Sequence, residues 1–183
     1  MKKTKQPSVR EDRASITLTV SRTDKVNAIV TGCFFIAATV FAIIGLKLYD
    51  PLLKGNDFLH QGAAHSGQIV LGAVFELVLI VANCGTAIML FPYLKVYNER
   101  LALGYYTFRV LECVFILLGV VSVLSLLTLS HTYHTANTPD TSYFNAIGSI
   151  AKAFHDWTFL LGPKFMLGIN TFIYSQMMTM RFI

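Results

Sequence analysis

Charge is scarce in this sequence: Asp, Glu, Lys and Arg make up 14% of 183 residues, against about 25% in an average soluble domain. With 54% hydrophobic residues and a mean hydropathy of +0.57, too little polar surface is available to cover a water-soluble fold. Cysteine is scarce as well. Cys33, Cys84 and Cys113 are odd in number and lie in separate apolar runs, which gives no disulfide framework; a thiol in such a run behaves as a small hydrophobe. There is no glycine-rich phosphate loop, no H-E-x-x-H pair, no G-x-S-x-G elbow around Ser122 or Ser125, and no internal repeat. P-loop, zincin and serine-hydrolase chemistry therefore have no footing. His60, His65, His131, His134 and His155 come without the cysteine or carboxylate spacing of a metal centre. No metal site is expected, and the residues name no cofactor.

Long apolar runs take the place of these features. Four candidate spans, at about 26–48, 69–93, 101–129 and 153–178, each meet the requirement of about 20 residues for a helix crossing 30 Å of hydrocarbon. The expected fold is an all-α transmembrane helical bundle, with residues 1–25 as a basic tail and 26–183 as the transmembrane domain. Seven of the fifteen Lys and Arg residues precede the first span, against Glu11, Asp12 and Asp24. Basic residues beside a first span ordinarily signal topology rather than nucleic-acid binding. Three more, Lys95, Arg100 and Arg181, fall on the same side, making ten, whereas Lys47, Lys54 and Lys152 make three on the other. Both termini are accordingly expected in the cytoplasm. The two outer loops carry turn signals at Asp50-Pro51, Gly55-Asn56 and Asn137-Thr-Pro-Asp140, with Asp140 or Thr141 a candidate helix cap. Tyr143, Phe144, Ile147, Ile150, Ala151 and Phe154 then recur at helical spacing, which places this segment along the interface or directly into the fourth span.

Six ionisable residues lie inside these runs: Glu76, Arg109, Glu112, His155, Asp156 and Lys164. A charge at the bilayer centre costs about 2.5–3.5 kcal/mol even on lenient insertion scales, so all six are expected to face inward as one buried network. Arg109 and Glu112 are three apart, on one helix face. By helical rise, Glu76, Glu112 and Lys164 each lie roughly 12–16 Å from a membrane edge. Gly162-Pro163 should kink the fourth span, because proline forfeits a backbone hydrogen bond and clashes with the carbonyl of Phe159. Glu76, Glu112, Asp156 and Lys164 are expected to converge on a cavity at that kink. Asn83, seven residues after Glu76, either extends this polar face or bonds a neighbouring helix.

Several stretches carry a family resemblance: Leu48-Tyr-Asp-Pro-Leu-Leu53, Leu71-Gly-Ala-Val-Phe-Glu76, Phe91-Pro-Tyr-Leu-Lys95, Tyr97-Asn-Glu-Arg-Leu-Ala-Leu-Gly-Tyr105, Phe108-Arg-Val-Leu-Glu112 and Asp156-Trp-Thr-Phe-Leu-Leu-Gly162. Through them the chain resembles a multi-span bacterial membrane family, domain of unknown function 4386. The resemblance implies a multi-pass protein of the bacterial inner membrane and brings no activity with it. It also implies about six spans with a basic turn after the fourth, so that this chain, ending at Met180-Arg-Phe-Ile183, stops before the last two.

The function expected from these residues is small-ligand binding or ion or proton transport by an integral membrane protein. Two alternatives stay open: a membrane-embedded enzyme using His155 and Asp156 as acid and base on a lipid-like substrate, or a structural or regulatory membrane subunit. A cavity open sideways to the bilayer favours the lipid substrate, a water-filled path favours transport, and a dry, fully paired cluster favours the structural role. The expected partner is the lipid bilayer, not nucleic acid, with a second copy or another membrane protein as a further candidate.

Overall fold

The computed structural model describes residues 22–55, 57–136 and 140–179. Residues 1–21 with the alternating stretch Ile16–Val20, the turn positions Asn56 and 137–139, and Met180–Ile183 with Arg181 lie outside the described residues. Among the described residues every element is helical, as lipid requires of a chain that must satisfy its backbone hydrogen bonds internally. Among the described residues three helices are long and apolar enough to cross a membrane: α1 (Arg22–Leu48), α4 (Ser66–Lys95) and α5 (Glu99–Thr135). Two short helices, α2 (Asp50–Leu53) and α3 (Phe58–Ala64), join α1 to α4. The last helical run is composite, with α6 (Thr141–Phe159), a π-helical segment (Leu160–Met166) and α7 (Leu167–Thr179) following one another without a break. The segment around Tyr143 thus leads straight into the helix that follows.

Sequence chemistry explains the helix starts. Asn98 Oδ1 accepts from the backbone N–H groups of Arg100 and Leu101 at 3.0 and 3.2 Å, opening α5. Asp140 Oδ1 does the same for Ser142 and Tyr143 at 3.0 and 3.3 Å, opening α6. Side chains of this type satisfy donors that have no intrahelical partner. In α2, Lys54 Nζ stands 2.7 Å from Asp50 Oδ1, and this contact holds the exposed carboxyl below the usual carboxylate range.

The helices pack in sequence: α1 along α4, α4 along α5, and α5 along the composite run. At one end α3 lies across α5, where Ser130 Oγ donates to the Leu59 carbonyl and accepts from Ala63 N–H at 2.8 Å. An apolar cluster that includes Tyr49, Leu52, Ile69 and Leu126 fills this end. A second cluster, with Leu94, Ala102, Tyr105 and Met177, closes the other. Between them Ala38, Leu79, Ala82 and Ile116 join α1, α4 and α5.

One contact went unread in the sequence. Cys84 and Cys113, in different helices, bring their sulfurs to 3.5 Å, while Cys33 is exposed on α1. All three are free thiols. Copper-phenanthroline oxidation is therefore expected to join Cys84 to Cys113 and leave Cys33 open to alkylation. A bond between Cys33 and either of the others would show that the α4–α5 register is different.

Candidate functional site

Two polar levels line the inner face of the bundle. At the first, α5 carries Arg109 and Glu112 one turn apart, with Arg109 Nη1 donating to Glu112 Oε2 at 2.9 Å. Asn83 from α4 donates to Glu112 Oε1 at 3.3 Å, and Asn170 from α7 donates to Oε2 at 3.2 Å. All four residues are buried, none more than 5% exposed. The guanidinium carbon also stands 5.8 Å from the ring centres of both Phe35 and Tyr105, a cation–π arrangement that helps to hold a desolvated arginine. The charges cancel, and the carboxylate has three donors. The level is not closed, however: Arg109 Nε and Asn170 Oδ1 are buried without a hydrogen-bond partner.

Glu76 of α4 forms the second level with Tyr49 and His155. By the helical rise it lies about 10 Å along α4 from Asn83. Tyr49, which follows α1, directs its hydroxyl to Glu76 Oε2 at 3.4 Å. The His155 ring of α6 meets Tyr49 edge-on at 6.2 Å and lies parallel to Phe159 at 6.3 Å. Gly119 permits this approach of α6 to α5: a Cβ there would meet Thr158 Oγ1 at 3.3 Å and His155 Cδ2 at 3.7 Å. Glu76 and His155 are 6% and 5% exposed, and His155 Nδ1 has no hydrogen-bond partner. Asp156 Oδ1, at 3.6 Å from Nδ1, is too distant to serve as one.

Both levels open onto one cleft of about 280 Å³. The α1 residues Phe35, Ala38 and Ala42 form one side, Phe159, Pro163 and Leu167 the other, and α4 and α5 the floor. Glu76, Asn83, Arg109, Glu112, His155 and Thr158 are among its lining groups, set into otherwise mainly apolar walls. Such a half-open apolar cleft with a few convergent polar groups is the usual form of a small-molecule site.

A family model, the domain of unknown function DUF4386, matches residues 30–183. The chain belongs to this family. Comparison with curated proteins and with solved structures gives no match. Every residue of both polar levels, from Phe35 to Asn170, falls within the DUF4386 region.

Of the six ionisable residues singled out in the sequence, the DUF4386 fold brings Glu76, Arg109, Glu112 and His155 onto the cleft. Asp156 and Lys164 are not brought there. The Asp156 side chain is 78% exposed, and Lys164 is exposed with Nζ 5.3 Å from the Phe159 ring centre. His155, Thr158 and Gly162 are buried on the side of this helix that faces α5, so Asp156 and Lys164, one and two residues beyond His155 and Gly162, turn away from it. The expected single network is instead two levels, with no ion pair between Glu76 and Arg109 among the described residues. Pro163, where the sequence leads one to expect a kink, lies inside the π-helical segment. There Leu167 N–H reaches the carbonyl of Gly162 five residues back, a common device at functional sites. Asn83, weighed as a helix-bonding residue, does bond across to Glu112. Tyr49, Thr158 and Asn170 went unread, because a neutral polar residue inside an apolar run carries no partner label.

Proposed function

We propose that this DUF4386 chain is a four-span plasma-membrane protein of a bacterium, both termini cytoplasmic, whose cleft binds a small amphipathic molecule. Residues 1–25 form its cytoplasmic tail and 26–183 its transmembrane domain. The ten-to-three division of Lys and Arg supports the orientation. The unbroken helical run from Thr141 to Thr179 supports the fourth span, because Met177 packs beside Leu94 and Ala102 at the α4–α5 turn.

The observation that carries the binding role is the cleft itself. Its walls are largely apolar, and two of its buried polar atoms, Arg109 Nε and His155 Nδ1, lack partners. Buried polar groups left unpaired cost free energy, and a ligand with a polar head offsets that cost while its apolar body lies along Leu79 and Ile116. The volume of about 280 Å³, just below the usual range of about 300–1,000 Å³, suits a small ligand. Lipid-like chemistry on His155 and Asp156 is not favoured, since Asp156 faces away from the cleft.

A photoreactive alkyl alcohol added to membranes holding the protein should label cleft residues such as Ala42 and Phe159 in a saturable way. Labelling confined to outward-facing positions such as Val81 and Leu117 would refute the site. In a background without native cysteines, His60→Cys should react with an impermeant thiol reagent in intact cells and Lys95→Cys should not; the reverse pattern would overturn the orientation.

A further inference from the structure

The end of the bundle where α3 lies across α5 carries a contact that the spacing of the histidines along the chain does not show. His60 of α3 and His134 in the last turn of α5 bring their rings to 4.8 Å between centres, at 74° to one another. The backbone beneath both is held in place. Ser130, one turn before His134 and therefore on the same face of α5, is fully buried and bonds the Leu59 carbonyl and the Ala63 N–H, on either side of His60. Gly62 permits this close approach, since a Cβ there would meet Ser130 Oγ at 2.7 Å. The Tyr133 ring meets His60 edge-on at 5.4 Å and His134 at 5.9 Å, and is itself backed by Phe144 of α6 at 5.4 Å. Two imidazoles from different helices are thus set side by side on a packed support.

We infer that His60 and His134 form a binding site for one divalent transition-metal cation of the Zn²⁺ or Cu²⁺ type. A Zn–N bond of about 2.1 Å puts the metal about 3.2 Å from each ring centre, so two rings 4.8 Å apart subtend about 100° at a shared ion, between the octahedral and tetrahedral angles. Imidazole suits such ions, whereas Mg²⁺ and Ca²⁺ call for oxygen ligands. Among the described residues no three His, Cys, Asp or Glu side chains are grouped to hold a metal, so the two imidazoles hold the ion and water completes its coordination. Neither histidine lines the cleft, and the inference is independent of what binds there. The ion ties α3 to α5 above the apolar cluster of Tyr49, Leu52 and Leu126.

The test titrates Zn²⁺ into the purified full chain, prepared without a histidine tag, against a chromophoric chelator. One ion per chain should bind, Mg²⁺ should not compete, and the unfolding temperature should rise with Zn²⁺ because the ion binds the folded form. His60→Gln and His134→Gln should each weaken binding by about tenfold or more and remove that rise, since each deletes one of two ligands. His65→Gln and His131→Gln should change neither. His60→Phe keeps a ring against Tyr133 and so separates ligation from packing; it should bind no better than His60→Gln. With Cu²⁺ in place of Zn²⁺, the electron paramagnetic resonance spectrum should show coupling to two nitrogens. Binding that never saturates, native affinity in His60→Phe or His134→Gln, loss of binding with His65→Gln or His131→Gln instead, or coupling to a single nitrogen would overturn the inference.

Discussion

Glu112→Gln is expected to cost about 3–5 kcal/mol of stability, the range for breaking a buried ion pair by removing one partner. The pair is almost fully enclosed, with both side chains 4% exposed, so the remaining guanidinium would stay buried without its counter-charge, beside Phe35 and Tyr105. Arg109→Gln should cost less, because Asn83 and Asn170 continue to donate to the Glu112 carboxylate. The double variant Arg109→Gln with Glu112→Gln should lose less than the sum of the two, as neighbours that share an interaction do. Unfolding in mixed micelles, followed by circular dichroism, reads all three. Additive losses would show that the two charges stabilise the bundle separately.

Gly162→Leu is expected to carry the second largest effect. Its Cβ alone would meet Phe115 Cβ at 2.7 Å, and the remaining side-chain atoms have no space without separating the π-helical segment from α5. Overpacking of this kind costs about 1–3 kcal/mol. The displacement would also move Asn170 from Glu112 and His155 from Tyr49, so binding of the alkyl alcohol should fall together with stability. Gly162→Ala should give the same two changes at smaller size. Full stability and full labelling in Gly162→Leu would mean that the close approach is not needed.

Much of this arrangement is legible in the sequence because lipid leaves few choices. Run length and the absence of charge locate α1, α4 and α5, and three-residue spacing alone pairs Arg109 with Glu112. Depth also follows from counting, since each helical residue rises by a fixed amount. Direction around the axis is harder to read. The π-helical segment changes the angular step just where Pro163 sits, so counting from Glu112 or His155 does not show which way Lys164 points. The expectation that Asp156 and Lys164 join the same buried network also failed, since both are exposed and lie off the cleft. Tyr49 and Asn170 were hidden for another reason. Each bonds a glutamate in a different helix, a long-range pairing that a single sequence does not reveal.

The most direct test of the central claim, that this cleft is a ligand site, is the binding isotherm of the alkyl alcohol to the purified protein and to Ala42→Trp. Ala42 lines the cleft opposite Phe159, and an indole there would fill much of the volume into which Arg109 and His155 open. The account predicts saturable binding of one molecule per chain to the native protein, lost in Ala42→Trp while the bundle keeps its stability, because filling a cavity seldom destabilises a fold that can accommodate it. Equal binding to both proteins, or uptake that never saturates, would contradict it.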